Sequence, residues 1–232
     1  MTRAVLRKDL VVLWTSPIPY VVGAMLNLVL GTLYVSELEL RQQALIQPLF
    51  PLAGFLLLAL IPLVTMRSFA EEAKAGTLDL LLAVPVAPRS LVGGKWLAAW
   101  LTVAAVAAPA GVFVALLYQW GDPDGGPIIT GFLGLLLLAA ALSGLGVVAS
   151  ALTSSQPVAA MITLFVGLLL WFAHVGSDSF TAGGLLLHFS VSERLRSFAT
   201  GVIDMSDVVF FAVVTAGALV LAAAVVDSRR LR

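Results

Sequence analysis

One serine–histidine combination, a Gly-Gly-Lys triplet and thirteen carboxylates are the groups that could do chemistry here, and their spacing removes most of that chemistry. An intramembrane serine protease needs its serine and histidine at one depth and within hydrogen-bond reach. Ser143, in Leu142-Ser-Gly-Leu-Gly, lies midway along one apolar run, whereas His174 lies near the far end of the next. Ser143, Gly144 and Gly146 therefore read as a close helix-packing surface. His174 and His188 lack a second ligand at i+3 or i+4, so neither reads as a metal site. The absence of cysteine removes thiol catalysis, Cys-based zinc sites and disulfides together. In Arg89-Ser-Leu-Val-Gly-Gly-Lys-Trp, Arg89 stands where a P-loop needs its first glycine and Trp96 where it needs Ser or Thr. Lys95 then reads as a snorkelling anchor beside an interfacial Trp96. All 13 acidic residues fall outside the middle of the apolar runs, and no Lys or Arg is central. Ion-coupled carriers place ionisable groups near the midplane; here the interior offers Asn27, Thr102, Thr130, Ser143, Thr163 and Thr215. The expectation is a chain without catalytic, cofactor-binding or metal residues, driven by energy from elsewhere.

The elements that carry these residues follow from hydropathy. With 60% hydrophobic and 11% charged residues and a mean hydropathy of +1.05, the chain has more apolar surface than a soluble domain of 232 residues could bury. Six runs approach the ~20 residues that cross ~30 Å of hydrocarbon: 18–35, 48–66, 91–118, 128–150, 158–175 and 208–226. Pro51, Pro62 and Pro109 fall inside them, where neighbouring helices tolerate a kink. The first run lacks a small-x-small cleavage site and is expected to stay as a span. With the N-terminus inside, 10 of the 13 basic residues are cytoplasmic, which places both termini in the cytoplasm. Ahead of the first span, Leu6, Leu10 and Leu13 form a helical stripe with Lys8 opposite, an amphipathic interfacial helix over 1–16.

Two connections are too patterned to be simple loops. The internal one, 67–90, continues the second span as a polar helix with an Arg67–Glu71 i,i+4 pair. Gly76 ends that helix and Thr77 caps a short apolar one, Leu78 to Val84, stopped by Pro85. Such a helix either packs on its own bundle or docks into a groove on a cytoplasmic partner. The external connection, 177–207, starts a helix at Ser192-Glu193 with Leu195 and Phe198 on its apolar face and Gly201 at its end. Upstream, Leu185 to Val191 is too short to cross and is expected to dip into the outer interface. Glu37 to Gln47 reads as a short external connection, and Ser154 or Ser155 as the cap of the helix entered at Pro157.

The order of these features resembles the type-2 ABC export permeases. The stretch Phe69-Ala-Glu-Glu-Ala-Lys-Ala-Gly-Thr-Leu-Asp-Leu-Leu-Leu-Ala-Val-Pro-Val, followed by Leu91-Val-Gly-Gly-Lys, is similar to that family's signature. Ser197-Phe-Ala-Thr-Gly-Val-Ile-Asp-Met-Ser-Asp resembles the external segment of the GldF/NosY-like group. The resemblance implies an all-α membrane protein, a single permease domain over 1–232 in the cytoplasmic (inner) membrane. It implies pairing with a second permease, identical or not, and binding of two cytoplasmic ABC ATPases that carry ATP and Mg, with an envelope accessory protein where force rather than solute is transmitted. It further implies that Thr77, Leu78, Asp79, Leu80, Leu81, Leu82 and Val84 form the coupling helix, bounded by Gly76 and Pro85, with Glu71 and Glu72 flanking the ATPase contact. The other readings are a non-transporting membrane scaffold or assembly factor and an ion-coupled secondary carrier. Nucleic acid has no place in any of them.

Overall fold

In hydrocarbon each backbone N–H must be satisfied within its own segment, so long apolar runs without turn signals form helices. The computed structural model describes residues 2–41, 46–78, 87–120, 123–175 and 189–230, and among these there is no strand. The helices are α1 (Thr2–Thr15), α2 (Ile18–Arg41), α3 (Leu49–Thr65), α4 (Ala70–Lys74), α5 (Pro88–Ala107), α6 (Gly111–Trp120), α7 (Gly125–Leu152), α8 (Gln156–Trp171), α9 (Val191–Ala199) and α10 (Met205–Arg230). Among the described residues, five stretches are long and apolar enough to cross a membrane: Ile18–Glu37, Leu49–Lys74, Pro88–Gln119, Gly125–Leu152 and Met205–Arg229. The apolar α8 has 16 residues, about 24 Å of helix.

The expected connection at 37–47 is shorter than the sequence suggests, because α2 stays helical through Arg41. Pro51 sits in the first turn of α3, where its missing N–H has no helical partner to lose. Pro109 has a larger effect: a short 3-10 turn, Ala108–Ala110, separates α5 from α6. The Asn27 amide of α2 donates to the Val106 carbonyl, one turn ahead of that break, at 3.0 Å and to Gly23 at 2.8 Å.

α7 is the central post. The Asp124 side chain caps it, accepting from the Gly126 N–H at 3.0 Å. Small residues let neighbours close on it: a Cβ on Gly146 would strike Thr65 of α3, and one on Gly134 would lie 2.8 Å from the Phe198 Cβ of α9. Gly144 rests against Ala218 of α10. The reading of Ser143, Gly144 and Gly146 as a packing surface therefore holds, with Ser143 fully buried. One main core runs through α2, α3, α5, α7 and α9; a second joins Phe69, Leu78, Leu91, Val92, Val147 and Ala222 at the end of the bundle that carries α1.

Candidate functional site: the ion-pair node beside α4

At the α1 end of the bundle, the turn after α3 leads into α4. Its start is stitched by Ser150 of α7, whose hydroxyl accepts the N–H groups of Phe69 (2.9 Å) and Ala70 (3.0 Å) and donates to the Met66 carbonyl (2.9 Å). Its finish is a glycine stop. Gly76 has φ +69°, and the N–H groups of Thr77 and Gly76 return to the carbonyls of Glu72 (3.0 Å) and Ala73 (3.3 Å). That is the Schellman pattern, in which a left-handed residue past the helix end returns two N–H groups to the last carbonyls. The helix end expected at Gly76 is therefore present. Residues 79–86, which hold Asp79, Leu80, Leu81, Leu82, Val84 and Pro85, lie outside the described residues. Leu78 is buried against Phe69, Leu91, Val92 and the α10 residues Ala222 and Val226, so it anchors the segment to its own bundle.

Short α4 places two carboxylates with different surroundings. Glu71 is half exposed and pairs with Arg67 at 3.8 Å, the expected i,i+4 pair; Arg67 also donates to the Ser16 hydroxyl at 3.1 Å. Glu72 turns inward, and one of its oxygens receives Lys8 of α1 at 2.8 Å and Lys95 of α5 at 3.0 Å. Lys95 reaches Asp9 of α1 at 3.2 Å as well, and its ammonium stands 5.0 Å from the Phe69 ring centre. Lys95 is 3% exposed. This corrects its reading as a snorkelling anchor: two carboxylates from α1 and α4 give the ammonium an inward destination that hydropathy along α5 cannot reveal. Burial pushes the Asp9 carboxyl above its ordinary 3.8, with Lys95 opposing the shift. Burial works against the charged form of Lys8, and the hydrogen bond and charge of Glu72 outweigh it, leaving the amine above 10.5. The node walls a cleft of about 220 Å³ between α1, the end of α3 and Thr77.

The helix α1 behind these pairs is amphipathic as the sequence indicates. Val5, Leu6, Asp9, Leu10 and Leu13 turn inward while Arg3, Arg7 and Lys8 face outward. Gly94 of α5 lets it close, since a Cβ there would lie 2.9 Å from Val5, and the Thr2 and Ser90 hydroxyls meet at 2.6 Å.

The opposite end carries the second excursion. α9 begins at Val191 with Ser190 as N-cap, two residues before the expected Ser192-Glu193 start, and nothing is described for 176–188. Leu195 and Phe198 are fully buried against α3 and α7, and Thr130 donates to the Phe198 carbonyl at 2.6 Å. Gly201, φ +93°, closes α9 with the same two-bond stop, Val202 to Ser197 and Gly201 to Phe198, both at 3.2 Å. Arg194 pairs with Asp207 at 2.5 Å and covers the Phe210 ring, tying α9 to α10. His174 does not approach Ser143 chemistry; its Nδ1 lies 3.0 Å from the Ser192 hydroxyl and 3.2 Å from the Trp171 carbonyl. Sequence reasoning missed Asp9, Ser150, the Ser192–His174 contact and the Arg194–Asp207 pair, none of which carries a spacing signal. Among the described residues, no group of His, Asp and Glu is arranged to hold a metal.

These features define a multi-pass helical membrane protein with a polar cluster at one end and a buried helical cap at the other. The family model described as ABC-2 family transporter protein matches residues 21–230, and the chain belongs to that family. Membership implies a permease subunit of an ABC transporter that associates with an ABC ATPase. No curated protein gives a significant match to the chain.

Proposed function

We propose that this chain is the export permease of an ATP-driven transporter, in the GldF/NosY-like group, with the α1 end in the cytoplasm. The observation that carries the proposal is the Lys95 node. It links α4, which leads directly into residues 77–84, to α1 at the membrane surface and to α5 within the bundle. A displacement of 77–84 by a partner then reaches the spans through α4 and Lys95 instead of being absorbed in a loose loop. Two ATPase subunits dock on this segment of two paired permeases and hold the ATP and Mg, so hydrolysis is not this chain's own reaction. The work is substrate export or transmission of force.

Six crossings fit this reading. α8 follows Ser150, which is bonded to the α3–α4 turn, after a short turn, and His174, three residues past its end, lies beside Ser192 of α9. It thus joins the two ends of the bundle although it is short. Both termini then share the cytoplasmic side.

The test is co-purification of the full-length chain with its candidate ATPase, compared with Leu80→Arg and Leu81→Glu, followed by ATP hydrolysis in lipid. Loss of the ATPase from variants that insert and melt normally is the expected result. Retained binding with unchanged hydrolysis rejects this docking segment, and a wild type that binds no ATPase returns the chain to the scaffold reading.

A further inference from the structure

The bend at Ala108–Ala110 leaves space inside the bundle. A cavity of about 280 Å³ lies between α2, α3, the α5–α6 bend and α7. Its deep wall is made by Leu26, Leu57, Val103 and Ala139, each buried. Its outer part is made by Phe50, Phe113 and Phe132, and every lining residue is apolar. Two lining residues also belong to the outer surface: Ala108 in the 3-10 turn and Leu136 of α7, 38% exposed. They mark a lateral mouth, bordered by the Trp100 indole that donates to the Leu136 carbonyl at 3.0 Å. The cause is local: Pro109 breaks the span, and α6 returns to the bundle farther along, where Phe113 stacks on Tyr34 and Leu117 is fully buried.

We infer that this cavity binds one hydrocarbon chain of a bilayer lipid. Water is a poor occupant, because a buried water needs two to four polar partners and this wall is almost entirely apolar. An empty void of this size forfeits the dispersion contacts of its whole lining. An apolar cavity of about 150 Å³ already takes a benzene-sized ligand, so this one has room for a longer run of methylenes. The mouth opens beside exposed apolar residues of a membrane-length helix, Leu133 and Leu136, so acyl chains are the hydrocarbon at hand. The proposal stands on the membrane fold alone and is independent of the ATPase reading.

The test uses the full-length protein in vesicles of phosphatidylethanolamine and phosphatidylglycerol, doped with a phospholipid bearing a diazirine within one acyl chain. After photolysis, labelled residues are mapped by mass spectrometry. Expected labels fall on Leu57 and Val103, which ordinary annular lipid cannot reach, as well as on the exposed Met161 and Val213. Filling the cavity with Ala139→Phe, or more gently with Ala107→Leu, lowers the inner labels at least tenfold and leaves the outer ones unchanged. Labels confined to Met161 and Val213 in the wild type overturn the proposal, as do inner labels that persist in both filled variants. If a filled variant fails to insert, its outer labels vanish too, and the wild-type pattern decides.

Discussion

Lys95 of α5 and Glu72 of α4 meet at 3.0 Å, and the lysine is almost completely withdrawn from solvent. Asp9 completes the arrangement from a third helix. Removing the cation leaves two partly buried carboxylates, 14% and 15% exposed, with only Lys8 on Glu72 to balance them, and breaking such a group costs about 3 kcal/mol. Lys95→Met is therefore expected to lower thermal stability in detergent far more than Lys8→Met, whose ammonium is 54% exposed and whose pair is worth about 1 kcal/mol at most. Equal losses for the two variants would show that Lys95 is not the dominant member of the node.

The Asp9 carboxyl gives a pH dependence of definite sign. Burial holds its folded pKa above the ordinary 3.8, so the folded chain binds this proton more tightly than the unfolded chain. Ionised Asp9 is a cost near neutrality, and the cost disappears as pH falls through the folded value towards 3.8. Asp9→Asn, with Glu72 still holding Lys95, is expected to melt above wild type near pH 7 and to converge with it as the pH falls through the folded pKa to below 3.8. Melting curves across that range decide the point; a gap that stays constant would assign the difference to something other than this proton.

Ser150→Ala removes one oxygen and one donor from a fully buried position. The N–H groups of Phe69 and Ala70 lose their acceptor, at a cost of about 1–2 kcal/mol. The effect should be local: faster amide exchange at Phe69 and Ala70, with the Gly126 N–H at the far end of α7 unchanged. Protection that survives the substitution would mean that another group takes over the cap.

Two glycines separate backbone strain from crowding. Gly76 has φ +69° and open space around it, so Gly76→Ala costs about 1 kcal/mol through conformation alone, and Gly76→Asn restores most of it. Gly134 is helical and crowded by Phe198, so Gly134→Ala costs about 1–3 kcal/mol through overpacking, and asparagine is worse than alanine. Thermal melts of the four variants test the contrast; asparagine rescue at both positions would contradict it.

Much of the architecture is readable in the chain because each feature is local. The apolar runs mark the helices, the Leu6–Leu10–Leu13 stripe marks α1, and Gly76 and Gly201 mark the two helix ends. Leu195 and Phe198 are recognised as a buried face by spacing alone. The node is different: Asp9, Glu72 and Lys95 come from three helices, and a lysine among apolar residues looks the same in sequence whether it turns outward or inward. Ser150 is equally silent, since its partners are backbone amides brought to it by the packing of α3 on α7. The cavity escapes sequence reading too, for Pro109 announces a bend but not the side on which space opens.

The hydroxyl of Ser150 also orders events in time. During synthesis α3 and the turn after it enter the membrane well before α7 exists, and the amides of Phe69 and Ala70 must wait for an acceptor supplied by that later helix. The start of α4 is thus completed only once the central post has been inserted beside it. A chain that has not reached Ser150 therefore carries an unfinished joint where α4 begins.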